Sequence, residues 1–180
     1  PAGIVFHSTE SLLIPFEPEQ TRQLLRVGGL LIQYLQRHRA YNYLIDRFGQ
    51  VHRIVSDHQV ANHAGYSVWE NQGRLYLNLN ASFLGVAFEA KTGAVLGAPE
   101  TTPAQLRAAR ALVEMLRGRY GISPQNCITH AQVSVNADSL RVGNHLDWAD
   151  GFPYQELALP DNYELPMASV AIFGLRYDER

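Results

Sequence analysis

Short apolar runs separated by polar segments are the main pattern along this chain, and such runs predict buried β-strands. The runs are residues 3–6, 41–45, 51–55, 84–88 and 127–129. The turn sequence Asp46-Arg47-Phe48-Gly49 joins the second run to the third, so these two runs predict a β-hairpin. We expect the run at 84–88 to be a central strand.

Two longer segments repeat their apolar residues at helical spacing instead. The first covers residues 21–37, although the pair Gly28-Gly29 inside it costs about 2 kcal/mol relative to alanine. The second begins with Thr102-Pro103-Ala104-Gln105, in which threonine caps, proline takes the first helical position and glutamine completes a capping box. Gly121 is expected to end this helix.

Strands that alternate with helices predict an α/β (α+β) fold, in which helices flank a central mixed sheet. No repeat or shift in composition divides the sequence, so we expect a single domain over residues 1–180. After Tyr154 a proline-containing link leads to the apolar run Ser169–Phe173, which predicts one last strand.

The composition is that of a globular domain and excludes several classes of function. Hydrophobic residues make up 46% of the chain, charged residues 18%, and the net charge is −2. Because no run of Lys or Arg stands out, we expect neither nucleic acid nor an anionic membrane surface as a partner. The apolar runs are far shorter than the ~20 residues that span a bilayer. The single cysteine, Cys127, excludes an intrachain disulfide.

The residues best suited to chemistry lie near the ends of predicted strands. His130 follows a short apolar run, and Asp147 comes seventeen positions later across a polar loop. Imidazole nitrogen and carboxylate oxygen are favoured zinc ligands, and a catalytic zinc takes three protein ligands and leaves one position for water. His7, which closes the first apolar run, is the best candidate for the third ligand. His145 is the alternative to Asp147 in this set.

The remaining histidines have weaker contexts in the sequence. His63 lies in the loop Asn62-His63-Ala64-Gly65, whose small residues indicate a close approach of the backbone to a bulky group. A histidine that forms hydrogen bonds to hold a long loop explains the same pattern equally well. His52 alternates with apolar residues and is expected to face solvent, and His38 and His58 have no partners nearby in the sequence.

Taken in order, these segments resemble the zinc-dependent type 2 N-acetylmuramoyl-L-alanine amidases, the superfamily that includes the peptidoglycan recognition proteins. The resemblance covers about residues 3–157. It is carried by Ile4-Val5-Phe6-His7-Ser8-Thr9, the aromatic strand and turn 41–49, His63-Ala64-Gly65, Asn80 with Leu84-Gly85-Val86, His130, and Asp147 with Phe152-Pro153-Tyr154.

The resemblance implies hydrolysis of the amide bond between N-acetylmuramic acid and L-alanine in peptidoglycan or muropeptides, with zinc as the cofactor. It also assigns the site residues. These are the metal ligands His7, His130 and Asp147, the catalytic residues His145 and Tyr41, and the substrate-binding residues His63 and Asn80.

The chain departs from the family pattern in three places. The glutamate that commonly follows the central strand motif as acid or base is replaced by Ala87, and Glu89 lies two residues on, hence on the same strand face. A lysine two residues before the third ligand is replaced by His145. Asp147 is followed by Trp148-Ala149-Asp150-Gly151 rather than by Pro-Gly.

The missing glutamate motivates a second hypothesis, a peptidoglycan-binding module that keeps the fold with little or no turnover. The recognition-protein branch also lacks the glutamate and relies on a tyrosine, which Tyr41 matches.

The chain begins with Pro-Ala-Gly rather than Met, which we interpret as a processed or trimmed form. We therefore expect a cell-envelope or secreted location with a leader removed, and a cytoplasmic recycling role is the alternative.

Overall fold

The computed structural model describes residues 1–92, 101–163 and 173–177. The strands in these ranges are β1 (Gly3–Ser8), β2 (Tyr43–Ile45), β3 (Val51–Arg53), β4 (Val68–Asn71), β5 (Arg74–Leu77), β6 (Phe83–Phe88), β7 (Cys127–Thr129), β8 (Val135–Asn136), β9 (Arg141–Val142) and β10 (Arg176–Tyr177). The α-helices are α1 (Thr21–His38), α2 (Pro103–Tyr120) and the single turn α3 (His130–Val133).

A five-stranded mixed sheet with the order β3-β2-β6-β1-β7 forms the centre of the fold. Strands β2, β6, β1 and β7 run parallel, and β3 pairs with β2 in the antiparallel direction. Every residue of β1 and β6 is buried, as expected for central strands of a sheet that is covered on both faces. Parallel strands end at the same edge, so β1, β6 and β7 deliver the residues that follow them to one place.

One face of this sheet packs against α2. Phe6 and Val86 point to this face and join the apolar stripe of α2, which consists of Ala109, Leu112, Val113 and Leu116. Trp148 and Phe152, from the segment after β9, complete the same core. Burial of side chains of this size stabilises the fold by roughly 1.5–3 kcal/mol each.

The opposite face is covered less completely by α1. Leu44 and Ala87 point to this face and pack against Leu35 of the helix. Leu35 is the only fully buried residue of α1, all of which the structure describes. A cavity of about 430 Å³ lies between α1 and the β2–β3 hairpin, and Gly28 and Gly29 line it.

Both predicted long helices are confirmed. α1 begins at Thr21 and ends at His38, one residue beyond the predicted end. At the start of α2 the Thr102 hydroxyl accepts a hydrogen bond from the Gln105 N–H, and the Gln105 side chain accepts one from the Thr102 N–H. Gly121 ends this helix in the left-handed conformation, with φ of 66°.

The predicted hairpin is confirmed, but both of its strands are shorter than predicted. Tyr41 precedes β2 because its φ of 63° is incompatible with a strand. The Asn42 side chain accepts a hydrogen bond from the Gly85 N–H at 2.9 Å and donates one to the Ser56 carbonyl. Strand β3 ends at Arg53 because the next amide, that of Ile54, turns to the Asn42 carbonyl.

His52 does not face solvent freely, since its side chain is only 26% exposed and its Nε2 lies 2.9 Å from Asp46 Oδ2. The prediction was wrong because the turn brings Asp46 back over the strand.

The predicted last strand Ser169–Phe173 lies, except for Phe173, outside the described residues. Within the described ranges, no helix has the length and apolar character needed to cross a membrane.

Gln105 ties α2 to the sheet. Its side chain is fully buried, and Nε2 donates hydrogen bonds of 3.1 Å to the carbonyls of Ile45 and Glu89, at the ends of β2 and β6. Buried backbone carbonyls need such partners, since an unpaired one retains its desolvation penalty.

We predict that Gln105→Ala lowers the free energy of unfolding by about 2–4 kcal/mol, because it removes the capping box, takes the side-chain donor from the buried Glu89 carbonyl, and leaves the Ile45 carbonyl with the Glu89 N–H alone. Denaturant unfolding followed by circular dichroism measures this loss. Arg110→Ala is the matched control on the same helix, since it removes only an exposed ion pair with Glu114 and should cost no more than about 0.5 kcal/mol. Equal losses in the two variants would contradict the role given to Gln105.

Candidate active site

The candidate site lies at the edge where β1 and β7 end. Phe6 pairs with Thr129 across these parallel strands, so the next residues, His7 and His130, come to stand beside each other. Their ring centroids are 4.6 Å apart. Asp147 reaches the same point from the loop that follows β9. The structure thus brings together three residues that are far apart in the sequence.

These three side chains form a compact cluster of nitrogen and oxygen atoms. His7 Nδ1 lies 3.2 Å from Asp147 Oδ2, and His130 Nδ1 lies 3.0 Å from Asp147 Oδ1. One ligand atom from each of His7, His130 and Asp147 falls within 4.8 Å of the others. Both histidines are buried, and the aspartate is nearly so. His145, the alternative third ligand, does not belong to this cluster.

The protonation of the cluster suits a cation. Burial lowers the pKa of His7 to about 4, which outweighs the opposing effect of Asp147, so His7 is neutral near pH 7. Burial opposes ionisation of Asp147, but the contacts of its carboxylate, first of all the hydrogen bond with His130, hold the pKa of the carboxyl well below the usual range. A neutral imidazole and an ionised carboxylate are the forms that bind metal ions.

A third histidine, His63, contacts His7 from behind. His63 Nδ1 lies 3.1 Å from His7 Nε2, and His63 Nε2 lies 3.2 Å from the Phe83 carbonyl oxygen. A carbonyl can only accept, so Nε2 of His63 carries the proton and its Nδ1 accepts one from His7 Nε2–H. The free lone pair of neutral His7 is then on Nδ1 and faces the Asp147 carboxylate. Two electron-rich atoms that face each other in this way fit a metal ion, and the donor set of two imidazoles and one carboxylate suits zinc.

Two further residues from the sequence analysis border the cluster. His145 stacks on His130, with ring centroids 4.2 Å apart and planes inclined by 24°. Burial, followed by His130, lowers the pKa of His145, and Asp147 offsets only part of this. The Tyr41 ring lies 5.0 Å from the His7 ring. Burial, followed by the Asp147 carboxylate, raises the pKa of the Tyr41 hydroxyl, so it keeps its proton at neutral pH.

These side chains line one cavity of about 540 Å³. Six of the seven sequence-predicted site residues border it, and they are His7, Tyr41, His63, His130, His145 and Asp147. Asn80 does not. Its Oδ1 instead accepts hydrogen bonds from the backbone N–H groups of His63 and Ala64, at 2.9 and 2.6 Å, and so fixes the loop that carries His63.

The missing family glutamate has no direct substitute on its own strand. Ala87 is the register neighbour of His7 and is fully buried against α1. Glu89 lies beyond the end of β6 and accepts a hydrogen bond from the Arg47 N–H. Its carboxyl borders the cavity under α1, not the one at His7.

Three residues that were not predicted from the sequence to belong to the site follow His7 directly. Ser8, Thr9 and Glu10 line the same cavity. One carboxylate oxygen of Glu10 accepts hydrogen bonds from the Ser8 hydroxyl and from the N–H and hydroxyl of Thr92. The polar run Ser8-Thr9-Glu10 at the end of a buried strand is the signal that could have located them, because polar residues at such a strand end lie at the same edge as the ligands.

Comparison with known proteins gives one family. Residues 1–147 match the family model described as N-acetylmuramoyl-L-alanine amidase. The N-acetylmuramoyl-L-alanine amidase AmiD of Escherichia coli (strain K12) is 28% identical over 113 residues, which are 61% of this chain and 37% of AmiD. The chain therefore spans little more than a third of the length of this curated relative.

Solved structures with the same fold are at low sequence identity. AmpDh3 from Pseudomonas aeruginosa has a TM-score of 0.64 at 21% identity, over 87% of this chain and 58% of that one. AmiD from E. coli, in complex with the substrate anhydro-N-acetylmuramic acid-L-Ala-D-γ-Glu-L-Lys, has a TM-score of 0.63 at 21% identity, over 87% and 55%. A selenomethionine derivative of AmpD has a TM-score of 0.57 at 22% identity, over 88% and 83%.

These neighbours confirm the α/β fold with a central mixed sheet and flanking helices. The family model covers well over half of the chain and includes all three residues of the metal-type cluster. The resemblance found in the sequence motifs is thus confirmed, and the chain belongs to the type 2 N-acetylmuramoyl-L-alanine amidase family.

Proposed function

We propose that this chain is a zinc-dependent amidase domain, which hydrolyses the amide bond between the lactyl group of N-acetylmuramic acid and L-alanine in peptidoglycan or muropeptides. The observation that carries the proposal is the cluster of His7, His130 and Asp147, whose ligand atoms lie within 4.8 Å of one another beside an open cavity. Family membership supports the reaction class, and the ligand cluster supports the zinc.

Two imidazole nitrogens and one carboxylate oxygen, His7 Nδ1, His130 Nδ1 and an Asp147 oxygen, would hold the ion. Zinc bound there supplies a Lewis acid that activates water and polarises the scissile carbonyl. Three protein ligands leave one coordination position open, which is the pattern of a catalytic rather than a structural zinc. The chain's own side chains must then position the substrate and handle the protons.

His145 is the candidate proton carrier. Its ring stacks on His130 and borders the cavity. Burial lowers its pKa, so the neutral imidazole is present near pH 7 and can accept a proton from water or donate its N–H to a developing oxyanion. The lysine that the family often carries at this position is charged, whereas the lowered pKa of His145 favours the neutral imidazole.

Tyr41 is the candidate hydrogen-bond donor on the other side of the cavity. Its raised pKa keeps the hydroxyl protonated. The backbone of Tyr41 has a positive φ, and in this conformation its ring lies next to the His7 ring. A preorganised donor aimed at developing negative charge stabilises the transition state, and one such donor is worth about 3–4 kcal/mol.

The second candidate function is a peptidoglycan-binding module with little turnover. Ala87 favours it, because this residue lies beside His7 where the family's amidases commonly carry a glutamate. The metal-type cluster favours the enzyme, since binding alone does not require three converging ligands. The AmiD structure contains an anhydromuramyl tripeptide, so such a muropeptide is the first substrate to test. A cell-envelope or secreted location fits this substrate, and cytoplasmic recycling of muropeptides fits it as well.

We predict that the protein with one equivalent of zinc releases free stem peptide from an anhydromuramyl peptide, and that Asp147→Ala abolishes both zinc retention and release. Loss of one of three ligands removes the anionic member of the set. Metal analysis and chromatography of the products measure the two effects. His145→Ala is the control, since it should keep zinc while turnover falls. An intact zinc content in Asp147→Ala would remove Asp147 from the ligands, and a wild-type protein with zinc but without release would favour the binding module.

Tyr41→Phe should lower kcat by on the order of 10²-fold at unchanged zinc content, because it removes a hydroxyl donor and no ligand. Steady-state kinetics with the same muropeptide measure the change. Tyr120→Phe is matched in chemistry, since it removes a hydroxyl that contacts Asp57 away from the cavity, and it should leave kcat unchanged. A wild-type kcat in Tyr41→Phe would reduce this tyrosine to a packing residue.

Restoring the family's glutamate, in Ala87→Glu, should not raise activity. Ala87 is fully buried in one apolar cluster with Leu35 and Leu44, so the added carboxyl is desolvated and should cost about 2 kcal/mol or more in stability. His145→Ala, in contrast, should lower turnover by about 10²–10⁴-fold if the imidazole handles the proton. A gain of activity in Ala87→Glu, or a parental rate in His145→Ala, would contradict this assignment.

A further inference from the structure

We propose that His63 is a positioning residue of the metal site, which holds the His7 ring so that its Nδ1 points to the ligand position. The inference rests on the proposed zinc site and reassigns His63, which the sequence resemblance had placed among substrate-binding residues. It is carried by the contacts of His63 on both sides of its ring.

Both ring nitrogens of His63 are engaged inside the protein. Nδ1 lies 3.1 Å from His7 Nε2, and Nε2 lies 3.2 Å from the Phe83 carbonyl oxygen. The side chain is buried, with 8% of the residue exposed. No ring nitrogen of His63 is therefore left to contact a substrate, whereas the bond to His7 reaches a metal-ligand candidate directly.

The direction of these hydrogen bonds follows from the Phe83 carbonyl oxygen, which can only accept. The Phe83 carbonyl accepts from His63 Nε2–H, so His63 Nδ1 has a lone pair and accepts from His7 Nε2–H. This fixes the tautomer of His7 and places its lone pair on Nδ1, towards Asp147 and His130. Histidine ligands of metal ions almost always donate their other ring N–H in this way, and loss of the partner typically costs 10–100-fold in metal affinity.

The fold holds His63 in place by packing as well as by hydrogen bonds. A Cβ atom added at Gly85 of β6 would lie 2.6 Å from His63 Cγ, so this ring fits only because residue 85 has no side chain. Glycine in the interior of a strand often marks such a close approach. Behind the ring, Asn80 accepts hydrogen bonds from the N–H groups of His63 and Ala64 and fixes the loop.

The test is the zinc affinity of the whole chain, measured by chelator competition and independently of amidase activity. His63→Leu fills the space without donor or acceptor and should weaken zinc binding on the order of 10–100-fold. His63→Gln can accept from His7 through Oε1 and donate to the Phe83 carbonyl through Nε2, so it should stay within about threefold of the wild type. A residue that merely fills the core would be replaced at least as well by leucine as by glutamine.

Two further variants separate positioning from loss of fold. Gly85→Ala displaces the His63 ring without changing a polar atom, and should weaken zinc binding about tenfold or more. Leu116→Ala opens a cavity at a fully buried residue of α2, in the core on the other face of the sheet, and should lower the melting temperature but keep the wild-type zinc affinity.

The outcomes distinguish this inference from the proposed function. Wild-type zinc affinity in folded His63→Leu or in folded Gly85→Ala overturns the positioning role, even if the wild type hydrolyses muropeptide. Weakened binding in His63→Leu and Gly85→Ala with rescue in His63→Gln supports it, even if the wild type binds zinc and releases no stem peptide. Equal weakening in His63→Gln and His63→Leu also overturns it, because hydrogen bonding to His7 would then be irrelevant.

Discussion

The parallel pairing of β1 with both β6 and β7 is the constraint on which the rest of the structure depends. It buries every residue of β1 up to Ser8 and fixes the register in which Phe6 meets Thr129. That register places one histidine from each strand end at the same point, so the first two ligand candidates are positioned by backbone hydrogen bonds rather than by loops. A shift of one residue would turn these side chains to opposite faces of the sheet.

The third ligand candidate depends on the core in a different way. Asp147 lies in an irregular segment, but the next residue, Trp148, is fully buried and packs edge-on against Phe88 and Phe152. The backbone N–H of Trp148 donates to the Thr92 hydroxyl, and its backbone carbonyl accepts from the Tyr163 hydroxyl. Trp148 adopts a positive φ of 60°, so the chain turns directly after Asp147 at a residue whose large ring anchors the turn in the core. Because the anchor is a core residue, the carboxylate beside it is delivered with little freedom.

The sequence was sufficient to predict the structure of a segment wherever interactions between neighbouring residues determine that structure. The capping box at Thr102 and the buried strands beside His7 and His130 follow from neighbouring residues, and the structure has them as expected. The bond between His63 and His7 joins residues 56 positions apart and exists only because Gly85, on a third segment, leaves room for the ring. The left-handed turn at Tyr41 is likewise set by Asn42, whose side chain binds the Gly85 N–H on the adjacent strand. Non-local contacts of this kind leave no periodic pattern in the sequence. The order of the motifs therefore located the site residues, but the hydrogen bonds between them are seen only in the structure.

The loose covering of one sheet face by α1 has a consequence for how the molecule fluctuates. The helix buries only Leu35 completely, and its two central glycines have open space where side chains would stand. Elements with few buried contacts open locally at a small fraction of the global unfolding free energy, and their amide protons exchange first. Strands β1 and β6, which carry or support the histidines, are buried along their whole length, so we expect their amide protons to exchange most slowly. We therefore expect α1 to open and close locally many times while β1 and β6 stay folded and the geometry of the ligand cluster persists.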